Sequence, residues 1–360
     1  MLRVLCALVL AGWSFSAGAP ALAQTADRGA IEDIIDAALA DGDVPGAIVL
    51  VELGGERLVI ARGLANRETG LTMARHHLLR IASVGKLHTA AVIHRLAMDG
   101  HLSLDAPVSA YLEPRWTDGV ANAAGATVRQ LLSHTSGIPD YYDETWFATV
   151  DETQLNSAQR TLAHVRGRPP AFEAGQEHGY SNTNYQYLGL IAEAVGGRPL
   201  AQIYADEVFV PLELEQSGYN IQFAPGDVIH GYGNQDDPEA DAYRLQENNG
   251  PDGGVFTTAD ELADTLNGLF ADEGALAALG EQMLSDLFDR GEGRYRGLGP
   301  SLTRTPDGLE IITHGGSIAG YATIAVREQT LDLVIIAHLN RDRPDLAGRI
   351  VRQTFGSLSQ

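Results

Sequence analysis

The runs rich in Ile and Val crowd the two ends of this chain, and this constrains its fold more than any other feature. Near the N-terminus, residues 47–53 (AIVLVEL) and 57–61 (RLVIA) read as strands joined through Gly54-Gly55. Near the C-terminus, residues 309–313, 321–327 and 331–339 form three more such runs with short turns between them, an antiparallel set. The intervening residues, about 101–250, carry mainly helix and loop signals. Strands at both chain ends with helices between them suggest one mixed lobe built from both termini. The expected fold class is therefore α+β: an antiparallel sheet flanked by helices and built from both chain ends, with a helical lobe inserted. The mixed lobe would take residues of about 24–100 and 250–360, the helical lobe about 101–249, within a single domain over 24–360.

Helix signals fill the gaps. Residues 27–40 place Ile31, Ile34, Ile35 and Ala38 on one side. A helix opening at Ser83 and stopped by Gly100 is apolar nearly all round, through Ala90, Ala91, Val92, Ile93, Leu96 and Ala97. Such a helix belongs at the centre of a core. Further helices are expected over 127–132 and 183–195, the second closed by Gly196-Gly197. Thr258 and Glu261 have the spacing of a capping box.

The first 23 residues stand apart. Arg3, an apolar run over 4–15 and Ala21-Leu22-Ala23 before Gln24 make the layout of a cleaved secretory signal peptide. The run is too short to span a bilayer, and no later segment is apolar for long enough. The expected location is periplasmic or secreted. Cys6, the only cysteine, lies inside that leader, so the mature chain could form no disulfide. The net charge is −22 and becomes one unit more negative when Arg3 leaves. So acidic a chain repels phosphate backbones and anionic lipid. The expected partner is a small-molecule or peptide substrate, with no nucleic acid and no membrane span; the sequence leaves the oligomeric state open. The 11 histidines contain no H-E-x-x-H, and His76-His77 lacks ligand spacing. No metal and no cofactor are expected. The acidic run at 236–239 lacks the EF-hand pattern and reads as a solvated loop.

Lys86 is the only lysine; the other 24 cationic side chains are arginine. Ser83 lies three residues before it, a spacing that puts both on one helical face. At a helix N-terminus Ser83 would have an unpaired backbone N–H and the positive end of the dipole beside it. Serine needs a base to become a nucleophile. Arginine holds its proton at any useful pH, whereas lysine can lose it when burial or nearby charge lowers its pKa. Chance alone places a serine there roughly one time in 25, so the pair is a modest signal. Two other groups join it. Tyr180-Ser181-Asn182 precedes a helix and offers a phenol and an amide. Alone it means little, because Tyr232-Gly233-Asn234 matches it too. His314-Gly315-Gly316-Ser317 follows a strand ending at Thr313; its glycines would let a substrate backbone lie close, although His314 alone also fits a strand-end histidine. Ser133-His134 is set aside as a capping turn, since adjacent helical residues point apart.

Taken in order, Ser83-x-x-Lys86, Tyr180-x-Asn182 and His314-x-Gly316 resemble the serine β-lactamase and penicillin-binding superfamily. The stretches LAMDGHLSLDAPVSAYL (96–112), LLSHTSGI (131–138), FEAGQEHGYSNTNYQYLG (172–189) and GGVFTTADEL (253–262) add to the likeness, which covers roughly residues 30–340. The Tyr-x-Asn form looks like the class C β-lactamases, the serine D-alanyl-D-alanine carboxypeptidases and related esterases and D-aminopeptidases. The resemblance implies an acylated Ser83, acid–base duty shared by Lys86 and Tyr180, and Asn182 positioning Lys86 and the substrate amide. It implies an oxyanion hole from the N–H groups of Ser83 and Ser317, with His314 on the substrate-carboxylate side. Two departures stand out. Histidine replaces the usual lysine at His314, and Gly315 stands where Thr or Ser is usual, which points away from β-lactamases. A non-catalytic binder of penicillin or peptidoglycan fragments is the other reading.

Overall fold

The terminal runs do meet in one sheet. The computed structural model describes residues 26–148, 157–224, 228–233, 242 and 250–358; the leader at 1–23 and the acidic run at 236–239 lie outside them. The strands are β1 (Gly46–Leu53), β2 (Glu56–Asn66), β3 (Leu71–Thr72), β4 (Leu79–Arg80), β5 (Gly218–Tyr219) and β6 (Val255–Thr257). They continue with β7 (Phe288–Asp289), β8 (Arg294–Arg296), β9 (Ser301–Arg304), β10 (Glu310–Ile318), β11 (Tyr321–Glu328) and β12 (Leu333–Leu339). Nine of them form the main sheet among the described residues, in the order β3-β2-β1-β12-β11-β10-β9-β8-β7, and β4-β6-β5 form a small second one. The two chain ends join where β1 runs antiparallel to β12, with Val49 opposite Ala337. Asn340 pins this junction: its Oδ1 accepts from Gly46 N at 2.7 Å, and its Nδ2 donates to Leu64 O and His230 O at 2.9 and 3.0 Å.

Both faces of the sheet are covered. Helix α1 (Arg28–Gly42) and the C-terminal helix Pro344–Ser357 pack on one face over Val49, Ile324, Val326 and Ile335. Helix α2 (Lys86–Met98) lies on the other, over Ile48, Leu50, Ala325 and Ile336. An antiparallel sheet with one wet face alternates apolar and polar residues, but here each side chain of β1, β11 and β12 is buried. That is why LVIIAHL reads as an unbroken run. Helix α2 is buried from Lys86 to His94, as its apolar circumference required. Among the described residues no helix is long and apolar enough to cross a membrane.

Four boundaries differ from expectation. Ser83 does not open an α-helix; it sits in a 3-10 turn, Ala82–Gly85, and α2 begins at Lys86. Residues three apart eclipse in a 3-10 turn, so Ser83 and Lys86 still share a face. Asn182 is already the first residue of its helix, Asn182–Gly196. Strand β10 does not stop at Thr313 but carries His314 to Ser317 and ends at Ile318. Pairing with β11 continues to Ile318 opposite Tyr321, while β9 reaches only Thr313. Among the described residues, one edge of β10 is therefore unpaired by a strand from His314 onward. Finally, Thr258 caps its helix by accepting from Glu261 N, but the Glu261 carboxylate turns to Gln216 N and Ser217 Oγ. The reciprocal box forms instead at Thr127 and Gln130.

Buried histidines set an acid limit on this fold. Burial lowers His88 and His94, both on α2, to about 4, and His338 on β12 to about 3. An unfolded histidine takes up its proton near 6.5. Below that value the unfolded chain binds protons that the folded chain excludes. Their stabilisation is complete above roughly pH 6.5 and is lost as the pH falls toward 4. The loss should be on the order of 1–2 kcal/mol per histidine at pH 5. Urea unfolding at pH 7.5 and pH 5 measures it, and His94→Gln should shrink the difference. A midpoint unchanged between the two pH values would contradict the account.

Candidate active site

The turn that carries Ser83 is strained and tightly wedged. Ala82 has φ of +50°, a left-handed conformation that costs a non-glycine residue about 1–2 kcal/mol. Strand β10 presses on the same turn through Gly316. A Cβ added there would fall 2.2 Å from Ile81 O and 3.0 Å from Ser83 N. The backbones at Ser83 and Gly316 are therefore neighbours. The Ser317 side chain turns away to donate to Asp342 Oδ1.

Lys86 is fully buried, and three oxygens are among the close partners of its Nζ. Asp252 O lies at 2.5 Å, Asn182 Oδ1 at 2.8 Å and Ser83 Oγ at 3.0 Å. Two of these are carbonyl oxygens, which only accept; the third is a hydroxyl, which can donate. A neutral amine has two N–H bonds and one lone pair, and this set matches it with the lone pair toward Ser83. An ammonium with three N–H bonds fits the same positions, so the site can hold either form of the amine without rearrangement.

Asn182 is held in turn by Asp140. Asn182 Nδ2 donates to Asp140 Oδ2 at 3.1 Å and Asn182 N to Asp140 Oδ1 at 2.9 Å. The carboxylate thereby fixes which end of the amide faces Lys86. Burial pushes the Asp140 carboxyl up to about 6. The Asp252 carboxyl, fully buried, is also pushed up by burial, against the opposing pull of Lys86. Tyr141 Oη and Gln186 Nε2 donate to it at 2.6 and 2.7 Å.

Tyr180 lies with one ring face toward the amine, its centroid 5.1 Å from Lys86 Nζ. Its ring stacks on His134 at 4.3 Å between centroids. His134 does occupy a turn, with φ of +57° just past the helix Val128–Leu132. Yet its Nδ1 also accepts from Ser181 N at 3.2 Å, so this residue, set aside from sequence, helps to hold the Tyr180–Asn182 segment. The LLSHTSGI stretch was the only signal that could have found it.

On β10, His314 is buried and its Nδ1 lies 2.9 Å from Gly315 O. A carbonyl only accepts, so Nδ1 carries the proton and Nε2 presents a lone pair. Burial, then Arg296, then Lys86 keep the ring neutral, well below its ordinary range. The structure thus gathers Ser83, Lys86, Tyr180, Asn182, His314, Gly316 and Ser317 around that unpaired edge of β10. It adds Asp140, Asp252 and Arg296, which the sequence did not single out, and His134, which it set aside. No spacing marks any one of 24 arginines.

The family model described as Beta-lactamase matches residues 31–354. Penicillin-binding protein 4* of Bacillus subtilis is 29 % identical over 297 residues, covering 78 % of this chain and 64 % of that protein. Esterase EstB of Burkholderia gladioli is 32 % identical over 218 residues, 57 % of this chain and 54 % of the esterase. The chain thus spans less than two thirds of the length of these relatives. Among solved structures, a D-stereospecific amidohydrolase from Streptomyces sp. superposes with a TM-score of 0.79 at 26 % identity, covering 91 % of this chain and 98 % of that one. With a shared fold and a family match over residues 31–354, the chain belongs to the beta-lactamase family.

Proposed function

We propose that the chain is an exported serine hydrolase that works through an acyl-enzyme on Ser83. The observation that carries this reading is the Lys86 amine, 3.0 Å from Ser83 Oγ and held there by two obligate acceptors. Ser83 Oγ attacks the substrate carbonyl carbon, and its proton passes to Lys86 and on through Tyr180. The new O–C bond forms as the carbonyl oxygen takes the negative charge. The N–H groups of Ser83 and Ser317 receive that oxyanion. The C–N or C–O bond then breaks, and the proton goes to the leaving nitrogen or oxygen. Water attacks the acyl carbon by the reverse relay and restores Ser83. Asn182 and Asp140 hold the amine in line. One domain over 24–360 would do this work after removal of the 1–23 leader.

Small esters and amides, D-amino-acid amides among them, suit the site better than β-lactams. Gly315 offers no hydroxyl and His314 no cation where β-lactamases bind the drug carboxylate. The similarity to an esterase and to a D-stereospecific amidohydrolase supports the same preference. A fluorophosphonate probe and a fluorescent penicillin test acylation. Turnover of nitrocefin, a D-Ala-D-Ala peptide, a D-amino-acid amide and p-nitrophenyl butyrate then ranks the substrates. Labelling of Ser83 with fastest turnover of the ester or the D-amide is the expected result. A stable adduct without turnover of any of the four would make the protein a binder instead, and no adduct with either probe would end the hydrolase reading.

A further inference from the structure

The loop 250–254 touches the Lys86 amine through a backbone atom and carries a buried carboxylate to which the Ser83–Lys86 relay gives no task. Gly250 O accepts from Gly253 N and Gly254 N at 3.1 and 2.7 Å, which closes the loop into a tight turn. The loop grips α2 at two points. Thr89 Oγ1 donates to Pro251 O at 2.5 Å, and Lys86 Nζ, three residues earlier, lies 2.5 Å from Asp252 O. The Thr89 proton is thus committed to a carbonyl, so Tyr204 Oη is the donor in its 2.6 Å contact with Thr89 Oγ1.

The Asp252 side chain turns back into the core, where Tyr141 and Gln186 are buried with it. These two donate to separate oxygens of its carboxylate, at 2.6 and 2.7 Å. A Cβ added at Gly250 would fall 2.6 Å from Asp252 Oδ1 and 2.5 Å from Gln186 Nε2, so the loop closes directly over this group. A donor on each oxygen suits the ionised form. Holding the loop requires no charge, because an amide of the same shape could make both hydrogen bonds. A buried charge is costly unless another opposes it, and the cation that pulls on this carboxyl is Lys86.

We propose that Asp252 is a positioning residue for Lys86: its clamped side chain fixes the carbonyl that takes one hydrogen of the amine, and its negative charge stabilises the ammonium formed when the amine lone pair takes the Ser83 proton. The inference rests on the hydrolase reading and deepens it. A buried aspartate that steadies a protonated histidine serves the same purpose in Ser-His-Asp triads. The other surroundings of the amine do not supply this charge. Tyr180 and Tyr185 present ring faces at 5.1 and 5.3 Å, and Ser83 and Asn182 are neutral. Burial keeps His134 and His314 neutral. Arg296, hydrogen-bonded to the Tyr185 hydroxyl, has the same sign as an ammonium. Asp140, behind Asn182, is the other carboxylate coupled to Lys86, and burial pushes it up to about 6, so its charge fades just below neutral pH.

Lys86 is the only lysine, so tag-free protein labelled with 13Cε-lysine gives a single lysine signal in NMR. Its chemical shift against pH titrates this amine alone. Asp252→Asn keeps the shape and removes the charge. Its midpoint is expected about one pH unit below that of the wild type, because the ammonium has lost its counter-charge. The acid limb of kcat/KM for p-nitrophenyl butyrate should move down by the same interval. The plateau should fall roughly three- to tenfold, as expected of a weaker base. Because the change is buried and risks the fold, Asp252→Ser, smaller and with room for water, is a second charge-free variant with the same expected direction. Circular dichroism and the melting temperature confirm the fold of each. A midpoint unchanged or raised in a folded variant overturns the proposal and leaves the carboxylate as a clamp on the loop. Failure of the hydrolase reading looks different: no ester turns over and Ser83 takes no fluorophosphonate, while the lysine signal still titrates.

Discussion

Lys86→Arg is expected to lower the rate of Ser83 acylation by about a thousandfold or more, close to the effect of Ser83→Ala. The substitution keeps the positive charge and roughly the length, so a purely electrostatic role for Lys86 would leave much of the rate intact. What it removes is the lone pair. Asp252 O and Asn182 Oδ1 occupy two hydrogens of the amine, and only a group that can shed its third proton has anything left to accept with. Guanidinium cannot do so in this pH range. The readout is the rate of fluorophosphonate labelling, with circular dichroism and the melting temperature confirming the fold. In residual turnover of p-nitrophenyl butyrate, Ser83→Ala and Lys86→Arg should also be non-additive: the double variant should be no slower than Ser83→Ala, because both remove parts of one relay. Retention of most of the labelling rate by a folded Lys86→Arg protein would defeat the base assignment.

Much of this site could be read from the sequence because its chemistry depends on rare residue types. A lone lysine among arginines is conspicuous, and a serine three residues earlier shares its face in either kind of helical turn. The sheet was legible for a similar reason: strands covered on both faces leave apolar runs that no amphipathic helix would produce. The limits were also physical. Strands β7 and β8 are two and three residues long and half-exposed, so they lack both length and pattern. Strand β10 was cut short at Thr313 because two glycines read as a break, yet pairing with β11 carries the strand through them. Asp140, Asp252 and His134 act through contacts 42 or more residues away along the chain, and no local spacing encodes such contacts. Arg296 escaped notice because its place beside Tyr180 and Ser301 follows from strand pairing and not from any local spacing.

Gly316→Ala should be nearly as damaging as the loss of the base, although it adds one methyl group and changes no charge. At Gly316 the new Cβ would stand 2.2 Å from Ile81 O, 3.0 Å from Ser83 N and 3.1 Å from Ala82 Cβ. Two of these are backbone atoms and cannot rotate aside, so β10 and the nucleophile turn must separate by about 1 Å to restore ordinary contact distances. That turn already holds Ala82 in the left-handed region, which leaves it little freedom to yield. A displacement of this size between nucleophile and oxyanion donors costs on the order of a hundredfold in rate, and the overpacking about 1–3 kcal/mol in stability. Gly315→Ala is the matched control. Its Cβ would meet only the tip of Ile324 at 3.2 Å, a side chain that can shift, so stability and labelling rate should stay near wild type. The pair separates a requirement for close approach at one position from a general need for glycine in the strand. If Gly316→Ala labelled and melted like Gly315→Ala, strand β10 could not be packed against the Ser83 turn in this way. The proposed oxyanion role of the Ser83 and Ser317 N–H groups would then lose its structural support.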